Sequence, residues 1–471
     1  MKNLLSHLFL LLPMFAFSQP GTLLYKQLIV EYELEEIPDL LDNIGLPSFL
    51  VNQNFGIELY KIGYETNSPL GDSIIPASGL VIIPKGVNYE FPIFHYNAGT
   101  HPYSENLSDL DNEALALTIL AIEGNITMVP DYIGYGDSPI EIPHPYLHEE
   151  TQAKASVDLL TASLELFDDL EVTINNDLIL GGYSQGAHAA LATLKSLEIE
   201  NTSNFTVLGT YTGAGPYHLS GPVIDSVLAG HPIEGYFLPF LIEGYQYMYG
   251  DLYSTYQEVY QSPWDSLVPR IFDKSDSLSI EDVSFPNLPI DVLNPDYLLA
   301  MQTDSNQAVR MHLKENDLHV GWFPNSKTRL YHCATDNYVP QSSSQNTYNN
   351  FLAAGAPDIE LIINETPGLT HVDCFTPYLL SLSAFIALHN THAPIGLNEF
   401  GEDAKFKWYS NNNSIYIELK EDVSVPIAIF NILGKRVYST RANSFLQIPI
   451  SNLNKGNYLL QIDNSFFKFM K

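Results

Sequence analysis

The sequence predicts an α/β fold: a mostly parallel central sheet flanked by helices, with a helical cap inserted into it and a small β-sandwich behind it. Three observations carry that expectation. Apolar runs that read as buried strands alternate with helix-forming segments between Phe91 and Thr212, the pattern that builds a parallel sheet. One such run, Asp177-Leu178-Ile179-Leu180, enters Gly181-Gly182-Tyr183-Ser184-Gln185-Gly186 and turns at once into a small-residue helical segment beginning at Ala187. From His218 to Pro324 the alternation stops and aromatics crowd in, among them Tyr236, Phe237, Phe240, Tyr245, Tyr247 and Tyr249. This stretch reads as a mostly helical insertion over the carboxyl ends of the strands, covering an apolar pocket.

A chain of 471 residues with 45% hydrophobic content can bury one large core and a second, smaller one. Its 21 basic against 55 acidic side chains, a net charge of −34, exclude a nucleic-acid role for a main body that has no basic patch. Residues 1–18 pair Lys2 with a short apolar core and the small residues Ala16 and Ser18, which reads as a signal peptide cut before Gln19. That run is too short to anchor a helix in a bilayer, and no later run is longer, so no stable membrane insertion is expected. The two cysteines, Cys333 and Cys374, are free to pair in an exported protein.

Taken in order, residues 25–48 are acidic and helix-permissive. Gly56–Thr66 and Ile74–Pro84 read as strands joined by the turn residues Asn67-Ser68-Pro69-Leu70-Gly71-Asp72, an antiparallel hairpin. Phe91–Tyr96 is a buried-strand candidate running into Asn97-Ala98-Gly99-Thr100, a loop placed where ligands collect in open α/β sheets. Residues 113–123 read as a helix, Ile126–Pro130 as a strand, and Asp131–Pro139 as a glycine-punctuated loop that Asp131 braces. His144, His148 and Glu149 have the spacing of helical metal ligands, but Pro143 and Pro145 break any regular helix there; no metal and no cofactor is expected. Thr151–Phe167 is an amphipathic helix. After the insertion come the strand Thr328–Cys333 with Asp336 behind it, a helix over 345–352, the strand Ile359–Ile363, and a loop carrying Gly368-Leu369-Thr370-His371.

Gly-x-Ser-x-Gly between strand and helix is the nucleophile elbow, in which glycines on both sides of a strained serine leave room that a Cβ would fill. The chain order Ser184, Asp336, His371 is that of the α/β-hydrolase fold. In this reading His371 takes the serine proton and later protonates the leaving group, while Asp336 orients the imidazole. Asp373 is the rival acid, placed only two residues from the histidine. The backbone N–H groups of Thr100 and Gln185 are the expected oxyanion hole.

These stretches, together with Leu59-Tyr60-Lys61-Ile62-Gly63-Tyr64, Ala77-Ser78-Gly79 and Asp131-Tyr132-Ile133-Gly134-Tyr135-Gly136, resemble the fungal secretory lipase (lipase A-like) branch of the α/β-hydrolases over residues 55–390. The resemblance implies hydrolysis of acyl esters, small-molecule or lipid-like, under a helical cap. Where relatives often carry His-Gly before the oxyanion residue, this chain carries Ala98-Gly99. Two alternatives remain open on the residues alone: a serine peptidase of the prolyl-oligopeptidase type, which shares the order of the three residues, and a non-catalytic surface binding protein built on the same scaffold.

Behind a linker over 393–401 the composition changes: residues 402–471 carry a net +3 and the remainder −37. Ile415–Leu419, Val425–Phe430 and Asn457–Ile462 read as strands of a small β-sandwich. Asn431-Ile432-Leu433-Gly434-Lys435-Arg436-Val437, Ile450-Ser451-Asn452-Leu453-Asn454-Lys455-Gly456-Asn457-Tyr458 and the terminal Phe467-Lys468-Phe469-Met470-Lys471 resemble the C-terminal sorting domain of type IX secretion. That implies engagement by the type IX machinery after passage through the periplasm, and a protein either released or held at the cell surface. The expected organisation is therefore signal peptide 1–18, hydrolase domain 19–392 with its cap over 218–324, linker 393–401 and sorting domain 402–471.

Overall fold

The computed structural model describes residues 19–43, 51, 53–86, 89–101, 112–200, 204–272, 278–389, 393–394, 406–410, 414–419, 424–431, 435–453, 457–462 and 465–470. The signal peptide and most of the linker lie outside the described residues. The chain divides into two compact units, Met1–Ala393 and Pro394–Lys471.

Among the described residues, the sheet of the first unit contains nine strands of five or more residues: β1 (Leu23–Tyr32), β2 (Gly56–Asn67), β3 (Ile74–Lys85), β4 (Tyr89–Asn97), β5 (Ile126–Pro130), β6 (Ile174–Tyr183), β7 (Thr206–Gly213), β8 (Lys327–Cys333) and β9 (Ile359–Asn364). Their spatial order is β1-β2-β3-β5-β4-β6-β7-β8-β9. The hairpin β2–β3 is antiparallel as expected, with Ile62 opposite Gly79, and β3 pairs antiparallel with β5. From β5 onward every pairing is parallel. Central strands of such a sheet are covered on both faces, which is why Ile93, Phe94, Leu178, Ile179 and Leu180 are all fully buried. On one face the core includes Leu159, Leu166 and Leu191 from the helices Glu149–Asp169 and Gln185–Glu200. On the other it includes Leu117, Leu120, Tyr378, Leu382 and Phe385 from the helices Asn112–Ile122 and Phe375–His389.

One expectation is corrected. The helix-permissive stretch from Tyr25 begins instead as β1, antiparallel to β2, and among its described residues helix starts only at Leu34, as a 3-10 turn Leu34–Glu36 running into the α-helix Ile37–Asn43. As an edge strand β1 leaves Leu24, Tyr25, Leu28 and Ile29 exposed, so it lacks the buried-exposed alternation that signals a strand. Backbone pairing with β2 overrides its local propensity.

Between β7 and β8 the chain forms the expected insertion, with helices Ile224–Leu228, Phe237–Tyr249, Trp264–Phe272, Pro295–Thr303 and Ala308–Glu315. Its own core, including Leu238, Phe240, Tyr245, Val268 and Met301, also takes in Tyr132, Tyr135 and Tyr146 of the body. Tyr146 and Phe240 stack at 4.7 Å, so aromatic faces as well as aliphatic contacts join cap to body. The one buried carboxylate of the helix Phe237–Tyr249, Glu243, accepts hydrogen bonds from the hydroxyls of Tyr253 (2.8 Å) and Tyr260 (2.7 Å), a use for part of the insertion's tyrosine content.

The second unit holds two antiparallel sheets, Phe406–Ser410, Ser414–Leu419 and Phe445–Pro449 in one, Arg436–Ala442, Val425–Asn431, Asn457–Ile462 and Ser465–Met470 in the other. Ile415, Ile417 and Ile448 of the first share a core with Ile427, Ile429, Leu460 and Ile462 of the second, which makes the unit a β-sandwich.

Candidate active site

Ser184 stands at the end of β6, one residue before the helix Gln185–Glu200, and its φ is +56°, the left-handed region that a non-glycine residue occupies only at some cost. The flanking glycines are sterically required. A Cβ on Gly182 would fall 2.1 Å from the carbonyl oxygen of Gly186, and one on Gly186 would fall 1.9 Å from that of Asn97. The second contact also shows that the end of β4 packs directly on the elbow. Ser184 N–H donates to the carbonyl of Gly213 at the end of β7 (2.9 Å), tying the turn to the next strand.

Asp336 and His371 come together at the ends of β8 and β9. His371 Nδ1 lies 2.7 Å from Asp336 Oδ2, and the N–H groups of Tyr338 and Val339 donate to Oδ1, each at 2.9 Å. Burial pushes the Asp336 carboxyl up, but the His371 hydrogen bond, the neighbouring imidazoles and the Val339 N–H outweigh it and hold the group below the usual carboxylate range. An ionised Asp336 accepts only, so the proton of the neutral imidazole sits on Nδ1 and the lone pair is on Nε2. Below the acid, the buried His332 donates from Nε2 to the carbonyl of Val339 (2.9 Å) and accepts at Nδ1 from Ser344 (2.8 Å). Burial lowers its pKa, keeping it neutral while it shapes the acid loop.

The histidine is held from three further sides. Asn337 Oδ1 accepts from His371 N–H (2.9 Å), the Tyr183 hydroxyl donates to the His371 carbonyl (2.7 Å), and the Tyr338 ring stacks on the imidazole at 5.3 Å. Cys333 and Cys374, both fully buried, form a disulfide that joins the acid loop to the histidine loop. Asp373, the rival acid, spends its exposed carboxylate on the N–H and hydroxyl of Thr370 (3.3 and 2.6 Å).

Gln185 lies within the elbow, and the loop that carries Thr100 runs beside it. The loop of Thr100 passes close enough that a Cβ on Gly99 would meet the Tyr183 carbonyl at 3.7 Å, and Thr100 Oγ1 is 3.0 Å from the Tyr146 hydroxyl. Gln185 opens the helix after Ser184, where N–H groups have no partner within the helix and the helix dipole favours negative charge. Its buried side chain donates from Nε2 to His144 Nε2 (2.7 Å), while His144 Nδ1 donates to the Ile133 carbonyl (2.8 Å). The loop after β5 braces this corner: Asp131 accepts from Ser78 (2.6 Å), Tyr132 donates to the Ala98 carbonyl (2.8 Å), and Tyr135 donates to that of His101. His148 turns away from His144 and caps the helix Glu149–Asp169 through Thr151 N–H (3.4 Å).

Ser184 opens on a pocket enclosing about 670 Å³, mouth included, between the elbow and the cap. Leu219, Val223, Ile224, Val227, Ile233, Phe237, Leu238, Leu241 and Leu313 of the insertion form most of its wall, and Tyr146, Leu147, Pro216, Tyr338 and Val339 form the remainder. Size and lining suit an apolar chain rather than a charged ligand. Sequence reading missed Tyr146, Tyr183 and Asn337. Asn337 is adjacent to the acid and Tyr183 lies inside the elbow motif, but nothing in the sequence around Tyr146 ties it to Thr100.

Comparisons with known proteins bear on the family and the fold. Residues 104–387 match the family model for secretory lipases, and residues 411–471 that for the secretion-system C-terminal sorting domain. Among solved structures, the rice cell wall degrading esterase LipA from Xanthomonas oryzae is similar at 23% identity and a TM-score of 0.68, over 78% of this chain and 97% of that one. A candidate hydrolase of Legionella pneumophila gives 24% identity and 0.70 over 78% and 98%, and Candida antarctica lipase A in its closed state 14% and 0.57 over 80% and 85%. These likenesses establish a shared fold. No curated protein sequence matches the chain at a significant level. Among the described residues, no helix is long and apolar enough to cross a membrane. By fold and by a family match spanning more than half its length, the chain belongs to the secretory lipase family, a hydrolase acting on esters that is secreted or carried on the cell surface by a type IX sorting domain.

Proposed function

We propose that the protein is a serine hydrolase that cleaves carboxylic esters through an acyl-enzyme on Ser184. His371 Nε2 removes the Ser184 proton as Oγ attacks the ester carbonyl, and then protonates the departing alcohol. Water enters by the same route in reverse, and the acid is released. Asp336 keeps His371 in the tautomer this requires and stabilises the imidazolium that forms. The N–H groups of Thr100 and Gln185 receive the developing oxyanion, each such donor being worth about 3 kcal/mol at the transition state. The acyl chain lies in the apolar pocket beneath the cap. What supports the reading most is the buried Asp336–His371 pair at 2.7 Å, together with a pocket lined by Ser184 and otherwise by aliphatic and aromatic side chains. Residues 19–392 serve as the hydrolase domain and 402–471 as the export signal.

A panel of p-nitrophenyl esters of increasing acyl length, run beside peptide amides, tests the proposal. Ester turnover that is abolished by Ser184→Ala is expected. Robust amide cleavage with negligible ester turnover would reverse the assignment in favour of a peptidase.

A further inference from the structure

We propose that His218, Asp317 and His319 form a site for a divalent metal ion of the zinc class, which clamps the cap to the body at its neck. Among the described residues, these three bring one ligand atom each within 4.8 Å of one another. They come from opposite ends of the insertion: His218 follows β7, whereas Asp317 and His319 follow the helix Ala308–Glu315 just before the chain returns to β8. The outgoing and returning segments therefore meet here. The Leu318 N–H donates to the Tyr217 carbonyl (2.9 Å), and the N–H and hydroxyl of Ser220 both donate to Asp317.

The donor set has the chemistry of a zinc site, two imidazoles and a carboxylate, with a coordination position left for water. His319 is only 7% exposed, yet its Nδ1 has no hydrogen-bond partner and faces Asp317 Oδ2 at 3.9 Å. A buried ring nitrogen left unpaired costs free energy, and a metal would satisfy it. The His218 and His319 rings lie face to face with centroids 3.6 Å apart, and because an imidazole lone pair lies in the ring plane, one ring turns about its side-chain bonds for both to reach a shared ion. His218 Nδ1 lies 3.1 Å from the Asn346 amide, which leaves Nε2 for the metal; with the Asn346 oxygen turned to this nitrogen, the tautomer is fixed from outside the ligand shell. Ligands of one tetrahedral zinc stand about 3.4 Å apart at bond lengths of about 2.1 Å, so ligand atoms that lie within 4.8 Å of one another close by up to about 1.4 Å through side-chain rotation.

The consequence is positional. Leu219, beside His218, is part of the pocket wall, and Leu313 of the helix leading to Asp317 is another part. A metal at the neck would fix both against the body, holding the pocket walls without touching the ester. The site is independent of the reaction assigned to Ser184 and stands or falls separately.

The test uses the full secreted chain, without a polyhistidine tag, stripped by chelator and dialysed against Zn²⁺ or Co²⁺. The expected result is one equivalent of zinc retained, a cobalt spectrum with intense tetrahedral visible bands, and a Tm that rises with free Zn²⁺ as binding to the native state requires. In the double variant His218→Asn/His319→Gln the equivalent is lost, the affinity falling by more than the roughly 10–100-fold that a change outside the ligand shell costs. Zinc then no longer raises Tm. Asp317→Asn, which keeps an acceptor for Ser220, gives the same loss and guards against misfolding of the double variant. Turnover of a short ester by the metal-free proteins reports that each is folded. Less than about a tenth of an equivalent of zinc in the wild type, or equal retention by wild type and a folded double variant, would overturn the proposal.

Discussion

The hydroxyl of Tyr183 donates a 2.7 Å hydrogen bond to the main-chain carbonyl of His371, so the residue immediately before the proposed nucleophile holds the proposed base in place. The same ring lies 5.1 Å from the imidazole and meets Phe375 and Tyr378 edge-on or tilted. Tyr183→Phe retains this packing and leaves a buried carbonyl without its donor. A lost buried hydrogen bond costs about 1–3 kcal/mol, so kcat toward a short ester is expected to fall roughly 5–150-fold if that cost appears in the transition state. Equal kcat in wild type and variant would show that the bond serves stability alone, which a thermal melt of the same samples would register.

The disulfide Cys333–Cys374 separates the acid from the histidine by three residues on each side, so its loss releases both loops together. On the chain-entropy argument, closing a loop of about 40 residues contributes roughly 4 kcal/mol. Cys333→Ser/Cys374→Ser is expected to lower the midpoint of chemical denaturation and to lower kcat at temperatures where the variant remains folded. An unchanged kcat would mean that Asn337, Tyr183 and His332 suffice to hold the two loops.

Asp158 gives the fold a pH dependence of definite sign. It is buried against the helix face toward β2, where Thr66 donates to it at 2.7 Å, and burial raises its pKa to about 6 despite that hydrogen bond. A carboxyl with a folded pKa above its unfolded value favours the native state while protonated, so this contribution is present at low pH and fades as pH rises from about 4 to about 6. Asp158→Asn, which still accepts from Thr66, is expected to raise stability at pH 8 by about 1–3 kcal/mol and to lose that advantage at pH 4. Melts across this range read the effect; a destabilised variant at pH 8 would contradict it.

On the proposed reading, the pocket wall sets the acyl length. Val227 and Leu241 lie on the insertion and line the space in front of Ser184. Val227→Phe fills part of the roughly 670 Å³ enclosed there, so kcat/KM for long-chain p-nitrophenyl esters is expected to fall at least tenfold relative to the acetate. A uniform loss across all chain lengths would place the acyl group elsewhere.

Removing residues 402–471 takes away the β-sandwich and leaves the central sheet and cap whole. Hydrolase activity is expected to persist while the protein accumulates in the periplasm. Normal appearance of the truncated chain outside the cell, measured by fractionation, would refute the sorting role.

How much was legible follows from locality. The elbow is visible because its steric demand falls on Gly182 and Gly186, neighbours of Ser184 in sequence as well as in space. The parallel strands are visible because burial on both faces makes them continuous apolar runs. Strand β1 was missed because an exposed edge leaves no such imprint, and its pairing with β2 is a tertiary event. His144 reads as a stray metal-ligand spacing along the chain, whereas in the fold it supports Gln185 from across the elbow. The meeting of His218 with Asp317 and His319 leaves no local spacing at all, since an entire cap is folded between them.

The most direct test of the account is covalent labelling of the full secreted chain by a fluorophosphonate, followed by peptide mass mapping. The account predicts one phosphonylated site, on the peptide containing Ser184, with labelling lost in Ser184→Ala and strongly slowed in His371→Ala. A folded protein that does not label, or a label carried by a different serine, would contradict it.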